Sequence, residues 1–129
     1  IEPKFRVTTG NSGFLAINMD NVGDFVGSGY KFRVECISHP EFNTYTQRLP
    51  VYGPPQYQTI KKDGWLNSVN WSVSDKDYAH TPPAKAGQVV KYRIYMKDKT
   101  DQIVRIYEGQ GTLGTEYKLL SPPVIVKGE

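Results

Sequence analysis

From Val89 to Gly111 the chain reads VVKYRIYMKDKTDQIVRIYEGQG, two runs in which apolar and polar side chains alternate on either side of a polar break. Successive side chains of a strand point to opposite faces, so a period of two marks a half-buried strand and conflicts with the 3.6-residue repeat of a helix. Tyr92, Ile94 and Met96 fall on one side of the first run, and Lys91, Arg93, Tyr95 and Lys97 on the other. Asp98-Lys99-Thr100-Asp101 supplies a turn, and the whole predicts a β-hairpin. Setting Val104 and Ile106 beside Ile94 and Met96 in the core leaves Tyr95, Tyr107, Ile103, Arg93, Arg105, Lys91 and Lys97 on the opposite face. That face mixes flat aromatic area with cations.

The rest of the chain suits the same kind of fold. Valine, isoleucine, threonine, tyrosine, phenylalanine and tryptophan together supply 45 of 129 residues, against 4 alanines and 6 leucines. Strand formers are therefore abundant and the best helix formers scarce. Twelve glycines and nine prolines, scattered without a repeat, furnish turns. The length allows one core and is short for two, which predicts a single domain over 1–129. A lone cysteine, Cys36, excludes an intramolecular disulfide, and no apolar run reaches the length of a membrane-spanning helix. Sixteen lysines and arginines against thirteen aspartates and glutamates give +3, too small a surplus for a dedicated nucleic-acid binder.

Along the chain, Phe5-Arg6-Val7-Thr8 and Phe14 to Met19 read as strands, and Tyr30 to Ile37 alternates with Tyr30, Phe32, Val34 and Cys36 on its inner side. That places Cys36 in the core as a small hydrophobe. Asp20, Asn21 and Asp24 bring oxygen ligands close enough together to raise the question of calcium, but their spacing is not that of an EF-hand and the same residues stabilise turns; the expectation is no metal. His39 and His80 lie far apart with no ligand or base at useful spacing. A short strand is expected near Asn43 to Leu49, a turn at Lys61-Lys62-Asp63-Gly64, and a core strand at Ser68 to Val73 around Trp71. Asp75 to Gly87 reads as a loop, as does Gly109 to Thr115. Glu116 to Leu120 and Val124-Ile125-Val126, separated by Pro122-Pro123, close the series as short strands.

Eight or nine short strands with frequent turns and no helical pattern predict an all-β fold, an antiparallel two-sheet β-sandwich of immunoglobulin-like or jelly-roll type. Trp71 in SVNW, Tyr92-Arg-Ile-Tyr95 and Gly114-Thr115-Glu116-Tyr117 resemble the fibronectin type III domain. The gap between the first two motifs is long for that family, and Pro122-Pro123 interrupts the next strand early. The resemblance implies the fold class and carries no function.

No nucleophile elbow, phosphate-binding glycine loop, HExxH or CxxC appears, so no enzyme and no cofactor are expected. Sixteen aromatics exceed what one core of this size needs, and surplus tyrosine and tryptophan suit the faces and hydroxyl edges of a sugar. The leading expectation is a non-catalytic carbohydrate-binding module of a secreted or surface protein. Its candidate residues are Trp65, Tyr95 and Tyr107 as platforms and Arg93, Arg105 and Gln102 as hydrogen-bonding neighbours. A structural or adhesive module of phage or virion type, using the same face against a protein partner or another copy, is the alternative. Binding of single-stranded nucleic acid by stacking comes third.

Overall fold

The computed structural model describes residues 1–9, 15–44, 56–66, 85–114 and 116–128. Phe14, most of the expected strand 43–49, the strand around Trp71, His80 and most of the 75–87 loop lie outside these residues.

The described chain is mostly β, arranged as two antiparallel sheets with one short helix. β1 (Phe5–Thr9), β2 (Leu15–Met19) and β7 (Lys118–Leu120) form a three-stranded sheet in the order β2-β1-β7. β3 (Lys31–Cys36), β4 (Gln58–Thr59), β5 (Val89–Lys97), β6 (Ile103–Thr112) and β8 (Val124–Lys127) form a five-stranded sheet in the order β4-β3-β5-β6-β8. Residues 64–66 run beside β2: Trp65 bridges Asn18, Met19 donates its backbone N–H to the Gly64 carbonyl at 2.8 Å, and Leu66 donates to Ile17 at 2.8 Å.

Alternation explains which side of each strand is buried. Phe5 and Val7 of β1, Leu15, Ile17 and Met19 of β2, Phe32, Val34 and Cys36 of β3, and Val90, Tyr92, Ile94 and Met96 of β5 are all buried in one hydrophobic cluster, so both sheets contribute to a shared core. Phe5 bridges the sheets, meeting Phe32 edge-on at 6.1 Å and Tyr107 at 5.0 Å between ring centroids, geometries that favour aromatic pairs. Burying side chains of this size stabilises by about 1.5–3 kcal/mol each before entropy is counted.

Four local expectations are corrected. The turn-rich stretch after β2 forms a helical turn, α1 (Val22–Phe25), because Phe25 is buried and stacks edge-on against Phe32 at 5.6 Å. Asn43 begins no strand; Pro40–Thr44 is a 3₁₀ turn, proline suiting a helical start, with the Asn43 amide accepting from the Cys36 N–H at 2.9 Å and donating to the Cys36 carbonyl at 2.8 Å. Gly109 to Thr112 belongs to β6 rather than to a loop.

The inner side of β6 is also the opposite of the one expected, so that neither Val104 nor Ile106 is a core residue. At the turn, Lys97 pairs with Ile103, a register that would put Val104 opposite Met96. Met96 instead pairs with Arg105, leaving Val104 as an extra residue, so Ile94 faces Tyr107 and Tyr92 faces Gly109. Such a bulge moves the rest of the strand by one residue, and a one-residue shift sends every side chain to the other face. Tyr107 is consequently in the core at 5% exposure, while Val104 is 38% exposed.

Candidate functional site

The outer face of the five-stranded sheet holds a cluster of interacting polar side chains. Register places Arg33 beside Tyr95 and Glu35 beside Arg93, while Arg93 lies across from Glu108 and Tyr95 across from Ile106. These side chains face outward because their sequence neighbours are apolar and claim the core. The Tyr95 hydroxyl donates to Glu35 Oε1 at 2.8 Å. Arg93 donates through Nε to Glu108 Oε2 at 2.8 Å, with a second, shorter contact from its terminal nitrogen, and reaches the Tyr95 oxygen at 3.4 Å. The hydrogen bonds to Tyr95 and then Glu108 hold the Arg93 guanidinium above its ordinary pKa, so it stays cationic throughout the accessible pH range.

The rings on this face are covered by cations. The Arg33 guanidinium lies over the Tyr95 ring at 4.1 Å and within 5.5 Å of Tyr57, and Lys97 Nζ lies over Tyr57 at 4.0 Å. A cation over an aromatic face is held there by the ring quadrupole, worth about 0.5–1 kcal/mol at exposed sites. The face therefore offers ordered cationic heads and carboxylates rather than bare rings. At one end it runs into a cleft of about 350 Å³ bordered by Lys91, Glu108, Gln110, Ile37, Pro122 and Val124.

Of the six residues singled out in the sequence, only Arg93 and Tyr95 belong to this cluster. Tyr107 is enclosed in the core, where burial raises its hydroxyl pKa, so it offers no stacking surface. Arg105 follows the same side of β6, donating to the Tyr107 hydroxyl and to the Ile1 carbonyl, each at 3.4 Å. Gln102 is exposed at the hairpin turn, where its N–H reaches Asp98 Oδ1 at 3.2 Å. Trp65 lies on the outer side of the other sheet, since Asn18, its bridge partner, alternates with the buried Ile17 and Met19.

No known protein resembles the chain closely enough to name a family: no family model, no curated protein and no solved structure matches it. The site must be read from its own chemistry. The sequence alone does not mark Arg33, Glu35, Tyr57 and Glu108 as site residues. Arg33 and Glu35 were visible as the polar side of an alternating strand, but their meeting with Tyr95 depends on the pairing of β3 with β5, across sixty positions of chain, which periodicity does not specify.

The Asn21 and His39 motifs make local contacts. Asn21 accepts from the Lys4 N–H at 2.8 Å and donates to the Glu2 carbonyl at 2.7 Å and to Asp24 at 3.2 Å, while Asp20 pairs with Arg6 at 3.2 Å. This cluster ties down the N-terminal segment. Among the described residues no group of three or more His, Cys, Asp or Glu is placed to hold a metal. His39 stacks on Phe42 at 5.0 Å and shares a 2.8 Å hydrogen bond with Ser38.

Proposed function

We propose that this chain is a non-catalytic carbohydrate-binding module of a secreted or surface protein, and that it binds glycan on the outer face of the five-stranded sheet. The arrangement of Arg33, Glu35, Tyr95, Arg93 and Glu108 on three adjacent strands carries this reading. It sets fixed donors and acceptors side by side on a rigid sheet, the combination that sugar hydroxyls require. Recognition is by hydrogen bonding, because Arg33 and Lys97 lie over the two rings.

The fold type proposed to support the site is an immunoglobulin-like β-sandwich. The shared core and the run β4-β3-β5-β6, with β1 and β2 in the opposite sheet, favour it over a jelly roll. A glycan array probed with the wild-type chain and with Arg33→Ala tests the function. The expected result is retention on a subset of glycans that Arg33→Ala loses at unchanged thermal stability. Retention on none, or equal retention by the variant, contradicts the reading.

A second reading, a structural or adhesive module that binds a protein partner, is favoured by one observation. β8 forms the edge of its sheet, and Val124, Ile125 and Val126 are all exposed, the first at 65%, the kind of edge that accepts another strand. Light scattering at micromolar concentration separates the two readings: a stable oligomer favours the second, and a monomer that binds glycan favours the first.

A further inference from the structure

The proposed glycan face carries a charge imbalance that the modest total conceals. Register and alternation place six cations on it: Lys31 and Arg33 of β3, Lys91, Arg93 and Lys97 of β5, and Lys127 of β8. Against them stand two carboxylates, Glu35 and Glu108, with Asp101 at the rim, 3.7 Å from both Lys31 and Lys97. Among the described residues this face and its rim thus carry six cations against three carboxylates.

We infer that the ligand of this face is an acidic polysaccharide, a hydroxylated chain carrying carboxylate or sulfate groups. The inference rests on the carbohydrate reading above and narrows it to a substrate class. Three features select that chemistry. Lys91, Arg93 and Lys97 lie along one edge-to-edge line of β5, spanning roughly 20 Å at about 3.3 Å per residue, so repeated anionic groups on an extended chain can be met in succession. Tyr95 and Tyr57 back Arg33 and Lys97, so these heads are held in place before the ligand arrives, which lowers the ordering cost of binding. Glu35 and Glu108 accept hydrogen bonds in the middle of the cationic field, Glu35 from Tyr95 at 2.8 Å and from Arg33 at 3.4 Å, and Glu108 from Arg93; each carboxylate oxygen has a second lone pair that suits a hydroxyl donor. A sugar acid brings both the anions and the donors. A single-stranded nucleic acid would need open rings on which to stack its bases, whereas these rings lie beneath cations. The cleft at the Lys91 end gives one sugar unit a recess at the end of the line.

Affinity electrophoresis in gels containing polygalacturonate, dextran sulfate or neutral dextran tests this, with a gel shift on single-stranded oligothymidine beside it. The wild-type chain is compared with a Lys31→Gln, Lys97→Gln double variant and with Lys62→Gln, which removes an exposed lysine from the turn before Gly64; thermal melts verify that all three are folded. The expected result is retention by one or both acidic polymers, weakened about tenfold in the double variant, unchanged in Lys62→Gln, and reduced by added salt. Retention by polygalacturonate alone assigns carboxylate, and by dextran sulfate alone, sulfate. Salt-independent retention by neutral dextran with none by the acidic polymers overturns this inference and leaves the carbohydrate reading standing. Absence of retention on any polysaccharide overturns both. Tighter binding to oligothymidine than to either polymer, or equal loss in Lys62→Gln, also overturns it.

Discussion

The two sides of β5 are made by alternate residues of one nine-residue strand, yet they are held by different physics. On the inner side Val90, Tyr92, Ile94 and Met96 are all buried, and their contribution is removal of apolar surface from water, which is non-directional and large. On the outer side Lys91, Arg93, Tyr95 and Lys97 take part in contacts that are directional, partly solvated and individually small; the Arg93–Glu108 pair, about one-third exposed on each partner, is worth about 1 kcal/mol or less. The inner side fixes the strand in place, and the outer side inherits an arrangement it would be too weak to impose. Recognition on such a face can change without disturbing the fold.

Substitution separates the two sides most sharply at Ile94. Ile94→Ala should destabilise by about 2–5 kcal/mol, whereas Arg93→Ala, the adjacent residue facing outward, should lower stability by about 1 kcal/mol or less; urea unfolding of the pair measures both. Equal losses would mean that the outer network holds the sheet together.

Next in size is Gly109, which lies opposite Tyr92. A Cβ added there comes within 2.5 Å of Tyr92 Cζ, and Gly109→Ala should cost about 1–3 kcal/mol through overpacking. The same substitution combined with Tyr92→Ala should cost less than the sum of the two single changes, a coupling read from a double-mutant cycle. Simple additivity would contradict the packing described.

Alkaline pH probes the inner side by titration. Burial raises the Tyr92 hydroxyl pKa well above the ordinary tyrosine value near 10. A group raised on folding contributes fully below its unfolded pKa and loses that contribution as pH rises toward the folded one. Stability should therefore fall above about pH 10, and Tyr92→Phe should flatten that fall; an unchanged slope would remove Tyr92 from the account.

The smallest effect on stability belongs to the outer side. Tyr95→Phe removes the hydroxyl that joins Glu35 to Arg93 and should cost about 0.5–1.5 kcal/mol, while glycan retention falls by a larger factor. A loss confined to stability would deny the network a role in binding.

How much of this was legible in the sequence follows the same division. β5 could be read residue by residue, because its alternation is unbroken and its register to β3 is regular. β6 was legible as a strand but not as to its inner side, because the bulge at Val104 adds one residue where the apolar run Ile103-Val104 gives no sign of a break. Gly109 and Gly111 were the available signal: both alternate with Tyr107, and glycines at that spacing fit opposite the buried Tyr92 and Val90. Trp65 was separated from Tyr95 by the pairing of residues 64–66 with β2, a long-range choice that no local pattern encodes.

The most direct test is to follow backbone amide resonances while polygalacturonate is added to the wild-type chain. Shifts concentrated at Lys31, Arg33, Arg93, Tyr95 and Lys97, with the amides around Ile17 and Trp65 unmoved, are the result expected. Shifts confined to the Trp65 side of the molecule would contradict a recognition surface on the outer face of the five-stranded sheet.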